Sequence, residues 1–323
     1  MSRYPRQLIL RANEIWHDLE GSAYDDRHPE IFVGEQDRWG VIGQRWIAGD
    51  SRQLRILDVG CGTGFVARQI GKYLKEGDVF VCADLSSRML EICKANLSDL
   101  GFLCQFQFLK LDGERIDLPE STFDYITMNS VLHHVPAYGA FLAELARLLR
   151  GEGRIVIGHE PNHAFFAHKV LWGAYIVAGL LSPGRVLRGA VRRLGLFDLV
   201  LRVRGREEWR WQTAMVSAAN ALLLEENLIT TPLSAAQMSE VVDFHSPLAG
   251  EAPRRSAGID VGQILHEHLP VFDLEYLESD AHLGDLSSSN RLTRWCSGIL
   301  KSRYPENGSI LAAILRKAPS EAA

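Results

Sequence analysis

Three glycines at alternate positions, Gly60, Gly62 and Gly64 in LDVGCGTG, stand between a run of strand-forming residues and the start of a helical periodicity at Phe65. Without a Cβ they let the backbone turn tightly and lie against a ligand. About 20 residues further on, Asp84 ends a second apolar run, VFVCA, and an acid at that spacing takes the two hydroxyls of a ribose. The pair predicts a nucleoside-bearing cofactor. Five histidines fall where they could serve as proton acceptors near neutral pH: His133 and His134 in LHHV, His159, His163, and His245 in FHSP. His159 and Glu160 are adjacent on an expected strand and so point to opposite faces, which leaves only one of them to line a site. A metal held by His159, Glu160 and His163 lacks a helical H-E-x-x-H or a carboxylate cluster to support it, and no metal is expected.

These groups need a framework that brings strand ends together, and the spacing of apolar runs supplies one. Arg55 to Val59, Val79 to Ala83, Gln105 to Leu111, Phe123 to Asn129 and Ile155 to Gly158 read as strands. Helical stripes alternate with them, with Met89, Leu90, Ile92, Cys93, Asn96 and Leu97 inward on one and Phe141, Leu142, Leu145, Leu148 and Leu149 on the next. Gly151 to Gly153 is expected to turn the chain into the fifth strand. Strict strand–helix alternation means a parallel sheet covered on both faces, with ligands at the carboxyl ends of the strands. Beyond the fifth strand, Gly258 to Leu269 reads as a helix and Val271 to Leu277 as a strand. Arg291 to Leu300 is expected to be a helix with Leu292, Trp295, Cys296, Ile299 and Leu300 on one face, and Ile310 to Leu315 a last strand pairing with 271–277.

Taken together, Asp58-Val59-Gly60-Cys61-Gly62-Thr63-Gly64, Asp84-Leu85-Ser86, Asp112-Gly113 and the run from Phe123-Asp124 through Leu132-His133-His134-Val135 to Gly153-Arg154 resemble the class I S-adenosylmethionine-dependent methyltransferases. The likeness covers roughly residues 50 to 160. A dinucleotide site would ask for G-x-G-x-x-G, and Phe65 stands where the third glycine would fall. The resemblance implies an α/β, Rossmann-like, seven-stranded, mostly parallel sheet flanked by helices, with S-adenosylmethionine as cofactor. It implies cofactor contacts at Asp58, Gly60, Cys61, Gly62, Gly64, Asp84, Leu85, Asp112, Gly113 and Asn129, with the acid at 112 toward the adenine amino group. Tyr24 looks like the N-terminal aromatic that folds onto the methionine end in many relatives. In relatives LHHV helps shape the cofactor pocket, which favours a structural role for His133 and His134; His134 or His159 is the expected base, with His133 a third candidate.

The domain organisation follows from where the likeness stops. Residues 1–49 read as an N-terminal helical cap, 50–160 and 258–316 as the core, 161–257 as a helical insert after the fifth strand forming a substrate lid, and 317–323 as a disordered tail. The insert begins with the apolar stretch Ala164 to Leu181. From 161 to 211 it carries nine cations against three anions, whereas Trp211 to Pro253 has no Lys or Arg. That separation suggests an anionic or lipid-like partner, or contact with a membrane surface.

A net charge of -5 argues against a general nucleic-acid binder, and Asn129-Ser130-Val131-Leu132 lacks the tetrapeptide usual in methyltransferases of exocyclic base amines. That leaves O-, C- or N-methylation of a small molecule, with oxygen or carbon favoured and a hydrophobic or anionic acceptor suggested by the insert. A membrane-surface quinone or lipid methyltransferase is the alternative, and a non-catalytic cofactor-binding subunit is the alternative of another class. The five cysteines show no C-x-x-C spacing and read as reduced, small core residues. With no apolar leader at the N-terminus, a cytoplasmic location is expected.

Overall fold

The computed structural model describes residues 4–113, 115–181, 206–243, 257–287 and 291–319. The chain divides into two compact units, Met1–Glu160 with Asp260–Leu277 and Ala312–Ala323, and Pro161–Ile259 with Glu278–Leu311. Glu278–Leu311, placed with the core by the sequence reading, groups instead with the second unit.

A seven-stranded sheet runs in the order β3-β2-β1-β4-β5-β7-β6. Its strands are β1 (Arg55–Val59), β2 (Val79–Asp84), β3 (Gln105–Lys110), β4 (Phe123–Asn129), β5 (Leu149–Pro161), β6 (Phe272–Asp280) and β7 (Ile310–Lys317). β1 pairs in parallel with both β2 and β4, β2 with β3, and β4 with β5. The central strands are buried on both faces, which is why they read as continuous apolar runs. Strand order reverses between β1 and β4. Their carboxyl ends diverge there, and a crevice opens for a ligand. β7 and β6 are neighbours, as the expected pairing of the two last strands requires.

Helices α1 (Arg6–Glu20), α2 (Phe65–Ile70), α3 (Ser87–Leu97) and α4 (Tyr138–Leu148) belong to the first unit. The expected N-terminal helical segment is present, continuing after α1 in short pieces, Tyr24–Arg27, Pro29–Gly34 and Gln36–Ile42. Its fully buried Trp39 donates its indole N–H to Asn129 Oδ1 at 2.8 Å.

Three local expectations change. The Gly151–Gly153 turn lies inside β5, where the register with β4 shifts between Phe123 and Tyr125, so the extra residues form a bulge and not a reversal. The helix expected over 258–269 is one α-turn, Val261–Gln263, capped by the Asp260 side chain, followed by π-helical Ile264–His268. Lys317, expected to begin a disordered tail, ends β7 and donates to the carbonyls of Ala146 and Leu149 at 2.8 and 2.9 Å.

In the second unit the apolar stretch from 164 to 181 breaks at His168 into His163–Ala167 and α5 (Lys169–Leu181). α6 (Arg206–Glu225) and α7 (Ala235–Val242) follow, α7 opening on a Ser234–Gln237 capping box. Asn162 ties the unit's two segments together by donating to the carbonyls of Glu306 and Gly308 at 2.8 and 2.7 Å. α8 (Arg291–Arg303) completes it. Among the described residues no helix is long and apolar enough to cross a membrane. The arginines at 185, 188, 192, 193, 202 and 204, like His245, lie outside the described residues.

Candidate active site

β1 delivers the glycine turn to the switch point. Gly60, Gly62 and Gly64 take φ of 65°, 52° and 90°, which L side chains rarely adopt. A Cβ on Gly60 would come within 2.6 Å of Val131 Cγ2, whereas one on Gly62 would meet nothing within 4 Å. The turn is therefore packed at one glycine and open at the next, the arrangement needed for a ligand to lie on the backbone.

Asp84, at the end of β2, latches this turn. Its Oδ2 accepts the Gly62 N–H at 2.8 Å and its Oδ1 the Ser86 N–H at 2.8 Å. Burial pushes its carboxyl up, opposed by those two backbone donors. Asp58 lies beneath the turn, accepting from Thr127 Oγ1 at 2.7 Å, while its buried Oδ2 has no hydrogen-bond partner. Burial drives the Asp58 carboxyl well up.

α1 and the residues after it cover the crevice. Ser86 Oγ donates to Asp18 at 2.5 Å, Thr63 Oγ1 donates to Asp25 at 2.6 Å, and Arg68 meets the same Asp25 at 3.2 Å. Glu20 is held between His28, at 3.1 Å, and His17, at 3.6 Å. Burial pushes the Glu20 carboxyl up, but the two imidazoles outweigh it and bring it down to about 2. Beneath this cover is a cavity of about 840 Å³, counted out to its open mouth.

The cavity brings together many of the residues expected from the sequence. Tyr24, Gly60, Gly62, Asp84, Leu85, Gly113, Asn129 and His134 all line it. Asp58 supports the turn from below. Cys61 and Gly64 pack behind it, where the sulfurs of the free thiols Cys61, Cys82 and Cys93 lie within 4.8 Å of one another. Asp112 is exposed and outside the lining, since the loop after edge strand β3 turns it to solvent.

The histidines part company. His134 lines the cavity, its ring edge-on to His17 at 5.5 Å between centroids. His133 turns to buried Glu160, Nδ1 to Oε2 at 2.8 Å. His159 is outside the lining and held by Glu35 at 3.0 Å, which also takes Arg38 on both oxygens at 2.5 Å. His163 lies 3.0 Å from the Ala257 carbonyl in the second unit.

Sequence reasoning missed the wall supplied by α1. Leu10, Asn13, Glu14 and His17 line the cavity from one helical face, spaced three and four apart. That spacing is present in the sequence, but Asn13, Glu14 and His17 are polar and equally fit a solvated helix face. Ser86 was also missed as a lining residue.

Residues 57–157 match the family model described as a methyltransferase domain. The "Demethylmenaquinone methyltransferase" of Lactococcus lactis is 30% identical over 182 residues, 56% of this chain and 71% of that protein. The "Ubiquinone/menaquinone biosynthesis C-methyltransferase UbiE" of Azotobacter vinelandii is 27% identical over 183 residues, 56% of this chain and 71% of that protein. Among solved structures, an S-adenosylmethionine dependent methyltransferase from Mesorhizobium loti aligns at 16% identity with a TM-score of 0.44, covering 87% of this chain and 100% of that one.

Proposed function

The chain belongs to the class I S-adenosylmethionine-dependent methyltransferases, and from that premise we propose that it methylates a ring carbon of a small, apolar, hydroxyl-bearing acceptor of the quinol type. It is an enzyme of methyl transfer, and S-adenosylmethionine is its cofactor. The residues of the cavity suit that cofactor: Gly62 is open where a Cβ would intrude, and Asp84 is a buried carboxylate facing the cavity with its backbone bonds already made. In this reading Asp84 takes the ribose hydroxyls, Leu85 and Gly113 border the base, Gly60 and Gly62 allow close approach, and Tyr24 and Asn129 flank the methionine end. When bound, the cofactor supplies an electrophilic methyl group on a sulfonium.

The observation that carries the acceptor reading is the His17–His134 pair, in a cavity that Leu10, Val131, Val135 and Phe141 also line. An aromatic carbon is a poor nucleophile until a ring hydroxyl gives up its proton and its electron density moves into the ring. In this reading His134 takes that proton, and His17, in edge contact, shares the charge. The apolar walls exclude water and orient the ring. The names of the two relatives, both quinone-biosynthesis methyltransferases, support the same class of acceptor. The test is mass spectrometry of quinols incubated with the protein and methyl-deuterated cofactor, with the label located by fragmentation. Label on a ring carbon is the expected result; label on oxygen, or none across ring acceptors alongside tight cofactor binding, would reject the reading.

A further inference from the structure

α8 turns part of its apolar face outward. Leu292, Trp295 and Ile299 are 66%, 64% and 47% exposed, and no residue of the helix is buried. At positions i, i+3 and i+7 they form one ridge. Arg291 borders the ridge beside Trp295, Arg294 lies further round on the same side, and Arg303 sits one turn past Ile299 in line with the ridge; the helix carries no acid at all. Its fourth cation, Lys301, pairs with Asp280 and with Glu278, both within the same unit. The helix thus bears four cations in a chain whose net charge is -5.

A solvated helix keeps polar residues outward, so an outward Leu, Trp and Ile ask for an apolar partner. A second copy of the ridge would set arginine against arginine. Arginines beside a Trp–Leu–Ile ridge fit an anionic bilayer instead, where the indole sits at the headgroup level, the aliphatic side chains enter the acyl boundary and the guanidinium groups meet phosphates. We propose that α8 docks this protein on anionic phospholipid membranes. The helix lies in the interface plane and does not span it. Docking does not depend on the acceptor proposed above, although it would carry the enzyme to an acceptor dissolved in the bilayer.

The experiment is flotation of the full chain with vesicles of phosphatidylcholine alone or mixed with phosphatidylglycerol, at low and high salt. Two surface variants accompany it, L292S/W295S/I299S and R291E/R294E, with thermal melts and sedimentation velocity of each. The protein is expected to float with the anionic vesicles only, less so at high salt, and each variant to bind at least tenfold more weakly with its melt unchanged. Equal flotation of the parent and both variants, or none by the parent, would overturn the proposal. So would a dimer lost in the apolar variant without vesicle binding, which would make the ridge an interface between copies. A lowered melt with no vesicle binding would place the ridge against another part of this chain and also overturn it.

Discussion

The carboxylate of Glu160 lies against the imidazole of His133, Oε2 to Nδ1 at 2.8 Å, with Glu160 fully buried. The same carboxylate accepts the backbone N–H groups of Val131, Leu132 and His133 at 2.6, 2.7 and 3.2 Å. One side chain from the end of β5 therefore fixes the turn that follows β4. That turn presents Val131 to Gly60 and His134 to the cavity.

Glu160→Gln replaces one acceptor oxygen with a donor amide that faces other donors. It is expected to destabilise the fold by about 3 kcal/mol, the scale for breaking buried hydrogen bonds to a charge. Methyl transfer should fall as the His134 turn shifts. Denaturant unfolding and single-turnover kinetics check both, and an unchanged midpoint would show that the turn holds itself.

Glu20 makes stability depend on acid. Its carboxyl is held down to about 2 in the folded chain against an ordinary 4.5. A depressed acid stabilises above its unfolded pKa, and the contribution disappears as pH falls through the folded value. The parent should therefore lose on the order of 3 kcal/mol between about pH 5 and pH 2 from this group. Glu20→Gln should be less stable at pH 7 and show a flatter acid limb in urea midpoints taken across that range.

At Gly60 a side chain meets two obstacles, a φ of 65° and Val131 Cγ2 at 2.6 Å from the new Cβ. Gly60→Ala is expected to cost about 2–4 kcal/mol, part backbone strain and part overpacking. Adding Val131→Ala should recover only the packing part. Full recovery in the double variant would show that the backbone conformation costs nothing.

For His134, substitution by Ala should lower kcat by about 10²- to 10⁴-fold, the usual range for a lost general base, with cofactor affinity nearly unchanged. His159→Ala, outside the cavity and tied to Glu35, should act on stability first. Calorimetric cofactor binding and kcat measured on both variants separate the roles; equal kcat losses with unchanged melts would contradict the assignment.

The features legible along the chain are local and periodic. The strands at 55, 79, 105 and 123 begin where the apolar runs begin, and Gly60, Gly62 and Gly64 lie at positive φ as a tight turn demands. Asp84 ends the adjacent parallel strand as its spacing predicts, and there its carboxylate accepts the Gly62 N–H. Periodicity also gave a helix over 291–300, but not which way its face would turn. Folding alone turns Leu292, Trp295 and Ile299 outward, sets Gly151–Gly153 in a bulge within β5, and brings His17 edge-on to His134. It also separated His133, His134 and His159, three histidines of one type near two strand ends, into a Glu160 partner, a cavity residue and a Glu35 partner. Each of these depends on which element packs over which. Contacts between residues far apart in the chain set that packing, and spacing along the chain does not encode it.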